Sequence, residues 1–327
     1  MSQSPEEDRV SAIYSAGDTI WQSAAVVIPT WNAGPILDTL LPSLARAGVP
    51  PQRLLIIDSS SRDDTVARFI AHGATVKVIP QNEFNHGGTR KLAVSLLPNA
   101  RFIIFLTHDA IPVSADTFTN VLKPFIDPKI GMAYGRQFPH RGARGIESFS
   151  RLINYGPESY VRSLEDRKIY GIKTIFCSNS FSCYRREALE DVGNFPDDVY
   201  FAEDQIVAGR MLLKGWKLSY AADACVYHSH AYTIGQDFKR YFDVGVFHSQ
   251  NPWLIENYGK PIDEGARIVR RELSYLASRE PFAVTSCFVR AAAKLIAYKI
   301  GLNHRHLPFS WKARLAMHGS YWRKKRL

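Results

Sequence analysis

The chain has 327 residues, of which 46% are hydrophobic and 22% charged, and its formal net charge is +10. This composition excludes a disordered polymer, and no run of eighteen uninterrupted apolar residues offers a membrane-spanning helix. The polar opening MSQSPEEDRV lacks the basic and apolar stretches of a secretory signal. Four cysteines without C-x-x-C spacing read as reduced thiols of a cytoplasmic protein.

After a loosely ordered leader (1–23), AAVVIPT (24–30) reads as a buried strand. A helix follows Gly34-Pro35, with Ile36, Leu37, Leu40, Leu41 and Leu44 on one face and Pro42 as an irregularity. RLLIIDS (53–59) is the second buried strand. The next helix runs from Asp63 to His72, with Ser61 as candidate cap and Gly73 ending it. TVKVIP (75–80) and RFIIFLT (101–107) are further strands. Beyond residue 130 come YGRQFP, TIFCSNSFSCY, a helix from Glu203 to Gly215, a strand through KLSYAADACVYH, and a helical, basic remainder. Apolar strands alternating with helices indicate a mostly parallel α/β sheet covered on both faces. Ligands on such sheets bind beyond the strands' carboxyl ends. That rule singles out Thr30–Asn32, Asp58–Ser61, Asn85–Arg90 and Thr107–Asp109.

The residue types there suit a nucleotide diphosphate. Asp58 closes a strand and can accept the N3–H of a uracil or thymine ring, or simply cap the next turn. In NHGGTR, Gly87 and Gly88 let backbone approach a phosphate at a helix start, and Arg90 adds charge. The alternative is a tight turn with an exposed arginine. Asp109 in FLTHDAIP suits a hard divalent cation, Mg²⁺ or Mn²⁺. In VYHSH, His228 and His230 share a strand face, and either can add an imidazole ligand. Glu203-Asp204 opens a helix, where acids complement the dipole or supply a general base.

The order VVIPTWN, IIDSSSRDDT, NHGGTR, FLTHDA, AEDQ and VYHSH resembles the inverting glycosyltransferases of family 2, which have the GT-A fold. AYGRQFP, SNSFSCYRREAL and IGLNHRHLPFSWKARLAMHGSYW resemble the bacterial rhamnosyltransferases of O-antigen and related polysaccharide pathways within it. The resemblance implies a GT-A catalytic domain over 24–235 with a Rossmann-like nucleotide half, and a helical basic extension over 236–327. It implies that Pro29, Thr30 and Asn32 line the nucleotide, Asp58 meets its base, and Arg90 meets the diphosphate. Asp109 and His228 hold the metal, and Asp204 is the base with Glu203 beside it. Thr107 stands where the first aspartate of the D-x-D motif is usual, and His108 follows it at the nucleotide. The expected reaction is single displacement with inversion, from dTDP-L-rhamnose to a lipid-linked saccharide. Within the enzyme class the alternative is another nucleotide-sugar donor. A sugar nucleotidyltransferase would instead carry a glycine-rich basic loop where IPTWNAG stands.

The charge excess is local. Residues 281–327 hold ten Lys or Arg and no Asp or Glu, while the rest is balanced. Charge alone allows a nucleic-acid-binding protein, which gives no reason for Asp109 and Asp204, so no nucleic-acid partner is expected. A basic helix on the cytoplasmic face of an anionic membrane fits the tail at least as well. Arg290 and Lys294 share one side of that helix. Phe288, Val289, Leu295 and Ile296 lie roughly opposite, with Lys299 among the apolar positions. The other reading is a core-packing helix with a solvated charged face.

Overall fold

The computed structural model describes residues 23–324 apart from 144, 200, 261 and 280–283. All but the last residue of the expected leader therefore lies outside the described residues, as does the end of the terminal WRKKRL. The strands are β1 (Ala24–Thr30), β2 (Leu54–Asp58), β3 (Thr75–Val78), β4 (Phe102–Leu106), β5 (Ile111–Pro112), β6 (Ile130–Phe138), β7 (Tyr160–Arg162), β8 (Phe181–Arg185) and β9 (Lys217–Tyr227). They form one sheet ordered β3-β2-β1-β4-β8-β6-β9-β5, with β7 on β9. The half containing β3, β2, β1 and β4 is parallel throughout, and β8 enters antiparallel beside β4.

Side chains alternate between the two faces of a strand. Val27, Ile57 and Phe105 thus join one core, together with Ile206 and Val207 of the helix that begins at Glu203. Val26, Ile28, Ile56 and Ile104 join another, beneath Leu37, Leu40 and Leu44. Both faces of the central strands are covered, as their apolar runs require. β3 departs from that pattern. It is an edge strand whose Thr75, Lys77 and Val78 are exposed, and a charged residue on a sheet edge discourages pairing with other chains.

Helix α1 (Gly34–Arg46) continues through Pro42 because its apolar stripe is anchored on both sides of that residue. α2 spans Thr65–Ala71, two residues later than the sequence suggests, and Gly73 follows it at φ +92 as expected. Ser61 does not cap it. The Ser61 hydroxyl is held by Asp58 instead, at 2.5 Å. Further helices are α3 (His86–Leu96), α4 (Gly145–Asn154), α5 (Glu203–Leu213), α6 (Ile234–Gln250), α7 (Ile262–Arg279) and α8 (Val284–Leu302).

The late helices build a third core from Phe242, Val246, Ala297, Ala316 and Trp322, with Phe201 packed against it. α6 and α8 cross where glycines let their backbones touch. A Cβ on Gly245 would stand 2.3 Å from the Tyr298 carbonyl oxygen, and one on Gly301 would stand 2.2 Å from that of Phe242. Gly301→Val should therefore lower the thermal unfolding midpoint, at an overpacking cost of about 1–3 kcal/mol. An unchanged midpoint would show that this crossing tolerates separation.

Candidate active site

A single cavity of about 1010 Å³ gathers the strand ends. Thr30 comes from β1, Ser59 follows β2, Thr107, His108 and Asp109 follow β4, and His228 and His230 follow β9. α3 contributes His86 and Arg90, and α5 contributes Glu203 and Asp204. Pro29 also reaches the lining.

Three residues expected there do not reach it. Asp58 is fully buried, and its carboxylate accepts from the Thr30 hydroxyl (3.0 Å), the Ser61 hydroxyl and the Ser61 N–H (2.8 Å). It organises the turn and is not presented to a base. Asn32, at φ +49, turns back to accept the Arg62 N–H at 2.9 Å. Gly87 is small for a packing reason, since a Cβ there would sit 1.9 Å from the Pro196 carbonyl oxygen. Its N–H donates to Val199, and the Gly88 N–H is taken by the Asn85 cap at 2.6 Å. The phosphate cradle expected at the start of α3 is thus already filled by protein groups.

Arg90 has a different partner from the one expected. Its guanidinium lies 3.1 Å from Glu203 Oε1, with both side chains about 5% exposed or less, and it also donates to the His86 carbonyl. Asn179 Nδ2 adds a hydrogen bond to Glu203 at 2.8 Å. Burial pushes the Glu203 carboxyl up, but Arg90, His86 and Asn179 outweigh it and hold the group below its ordinary value. Asp204 forms no ion pair of its own among the described residues, and feels Arg90 only at longer range. Its Oδ2 accepts from the Asn179 N–H at 3.1 Å and its Oδ1 from the Gln205 N–H at 2.8 Å. Burial, together with the charge on Glu203, pushes the Asp204 carboxyl up to about 7. Ala202, immediately before the pair, sits in the left-handed region at φ +57. Such strain is tolerated where surrounding structure fixes the chain's direction, and here it turns the chain into α5.

On another wall, Asp109 lies 3.5 Å from His228 Nε2 and 3.7 Å from His230 Nε2. These three form a group with ligand atoms within 4.8 Å of one another. Burial holds the imidazoles of His228 and His230 below their ordinary values, that of His230 at about 4, so both are neutral. The His228 tautomer follows from its neighbours. Arg151 donates to Gln137 Oε1 at 2.7 Å, and arginine can only donate, so that atom is the oxygen. His228 Nδ1, 2.9 Å from the same oxygen, must carry the proton. Nε2 then turns a lone pair toward Asp109. The Asp109 carboxylate, the Nε2 lone pair of His228 and the neighbouring Nε2 of His230 form a donor set for a divalent cation, and the mixed oxygen and nitrogen set suits Mn²⁺ better than Mg²⁺.

Sequence reasoning missed Gln137, Arg151, Asn179, Arg240, His318 and Arg323. Gln137 left one trace, as a polar residue inside an otherwise buried strand. Met317, His318 and Arg323 line the cavity from the late basic segment, so that segment takes part in the site.

The Glycosyltransferase like family 2 profile matches residues 22–242. The chain belongs to glycosyltransferase family 2. It is 40% identical over 298 residues to the O-antigen chain rhamnosyltransferase RfbN of Salmonella typhimurium, covering 91% of this chain and 95% of that protein. It is also 40% identical over 301 residues to the O-antigen chain rhamnosyltransferase WbaN of Salmonella anatum, covering 92% and 96%. Among solved structures it is similar to the mannosyltransferase PcManGT from Pyrobaculum calidifontis in complex with GDP-Man and Mn²⁺. That likeness has a TM-score of 0.57 at 16% identity, covering 92% of this chain and 98% of the other. The fold is therefore GT-A, and this family member is a glycosyltransferase.

Two measurements test the site's electrostatics. Arg90→Met leaves Glu203 buried without its cation and should cost about 3–5 kcal/mol of stability, read as a fall in the unfolding midpoint. Gln137→Leu removes the acceptor that fixes the His228 tautomer and should weaken Mn²⁺ binding about 10- to 100-fold by calorimetric titration. Unchanged affinity would separate Gln137 from the cation site.

Proposed function

We propose that this enzyme transfers L-rhamnose from dTDP-L-rhamnose, with inversion, to a hydroxyl of a lipid-linked saccharide during O-antigen-type polysaccharide assembly. It would work at the cytoplasmic face of a membrane. The observation that carries the reading is the meeting of Asp204 with the Asp109, His228 and His230 group on the walls of one cavity. The choice of rhamnose is supported by the printed names of the two Salmonella relatives. Pro29, Thr30, Thr107 and His108 are the proposed nucleotide contacts. The Thr107 hydroxyl, on the cavity lining two residues before Asp109, suits that role. Arg151, Arg240 and Arg323 line the cavity and supply positive charge toward a diphosphate, while Arg90 serves Glu203.

In this reaction the acceptor oxygen bonds to the anomeric carbon as the opposite bond to the diphosphate breaks. The bonding pair leaves with the diphosphate and the acceptor proton passes to Asp204. Two backbone N–H groups aim the Asp204 carboxylate, and its raised proton affinity makes it a better base than an exposed aspartate. A divalent cation held by Asp109, His228 and His230 would supply positive charge that stabilises the leaving group. Glu203 holds Arg90 and raises the proton affinity of Asp204 through its charge.

Base catalysis needs the ionised form of Asp204, so transfer should rise with pH and reach half its maximum near pH 7. Glu203→Gln removes the negative neighbour and should move that midpoint to lower pH. Asp204→Asn should lower the rate about 10²- to 10⁴-fold while dTDP binding in Mn²⁺ persists, and full turnover would reject Asp204 as base. Release of nucleoside diphosphate from a panel of nucleotide sugars tests the donor. Preference for another sugar would overturn the rhamnose assignment and leave the rest standing.

A further inference from the structure

The longest helix of the basic segment, α8, is arranged opposite to an ordinary surface helix. A surface helix buries its apolar stripe and offers charge to water. In α8 two of the three charges face inward: Arg290 and Lys294 both pair with the buried Asp237 of α6. Arg290 also donates to the Tyr232 carbonyl at 2.8 Å, and Tyr232 lines the cavity. The core-packing alternative for the apolar side does not hold. Phe288 is 56% exposed, Val289 55%, Leu295 48% and Ile296 54%. Their spacing of one and seven residues puts all four on one face across successive turns. Lys299, exposed one turn further on, continues the same face.

An unbroken apolar stripe of this kind marks a contact surface. We infer that the outer face of α8 docks on an anionic lipid bilayer, with Phe288, Val289, Leu295 and Ile296 entering the interface and Lys299 reaching back to the headgroups. Charge complementarity selects this occupant, since Lys299, Arg305 and Arg314 are exposed on a segment, 281–327, that carries no acid. The Lys299 position, awkward for a water-facing or a core-facing helix, is natural at an interface where the stem lies in the apolar layer and the ammonium stays wet. No described helix is long and apolar enough to cross a membrane, so the contact is lateral. The Arg290 link to Tyr232 ties the docking face to the rim of the cavity. The inference deepens the membrane part of the proposed function and rests on it, and it does not depend on the donor sugar or on Asp204.

The test is co-sedimentation of the full chain with vesicles of phosphatidylglycerol and phosphatidylethanolamine, against vesicles of phosphatidylcholine alone. The intact protein should bind the anionic vesicles, and less so as salt is raised. Leu295→Ser with Ile296→Ser should reduce binding roughly tenfold while dTDP binding in Mn²⁺ stays unchanged. Phe288→Ser with Val289→Ser is the second variant, in case the first folds poorly. Undiminished binding by a folded variant would overturn the docking face and leave membrane association to another surface. Failure of the intact protein to bind would overturn the face and the membrane reading together, without touching transfer to a soluble acceptor. A dimer in light scattering that these substitutions dissolve would assign the face to a second copy of the chain and overturn the inference.

Discussion

The site depends on an asymmetry between two adjacent buried carboxylates. Glu203 and Asp204 stand side by side at the start of α5, where two negative charges out of water repel strongly. Arg90 resolves the conflict for one of them only. By holding Glu203 ionised, it obliges Asp204 to keep its proton more tightly, and Asn179 bridges the pair through its side chain and its backbone N–H. Asn179 is in turn fixed by the hydroxyls of Ser182 and Tyr184, at 2.8 and 2.7 Å. Much of the polar interior around α3, β8 and α5 thus serves to make two chemically similar acids unequal.

The opposite wall applies a complementary rule. Glu203 Oε1 meets two donors, Arg90 and Asn179, whereas Asp109 faces the Nε2 atoms of both His228 and His230. Arg151 donates to Gln137 Oε1 while Gln137 Nε2 donates to Ser178, so the outer ring nitrogen of His228 donates to that same oxygen and the inner one keeps its lone pair.

Much of this was legible in the sequence because strands and their ends obey short-range rules. AAVVIPT, RLLIIDS and RFIIFLT are apolar on both faces and could only be central strands, so the polar residues after them had to share an edge. Thr30, Thr107, Asp109 and His228 follow from that reasoning, Asp204 from its place at a helix start, and all five line one cavity. Asp58, Gly87 and Arg90 misled because residue type does not reveal which neighbour reaches a group first. Asp58 meets Thr30 and Ser61, Gly87 meets Pro196, and Arg90 meets Glu203 from more than a hundred residues away. Gln137, Arg151 and His318 were hidden for a related reason, since they act through partners brought close only by the folded sheet. The inverted polarity of α8 was half visible. Periodicity separated its two faces, but which one turned outward depended on Asp237 in another helix.

The wall formed by Met317, His318 and Arg323 also bears on the order of events during synthesis. The sheet and both acids precede these residues in the chain, so a growing polypeptide can assemble a donor shelf before the enclosure around it exists. Until the late segment arrives, an activated sugar bound there would meet bulk water as its nearest nucleophile. The last helices thus supply a wall of the chamber, and a chain clipped before them would leave that side open.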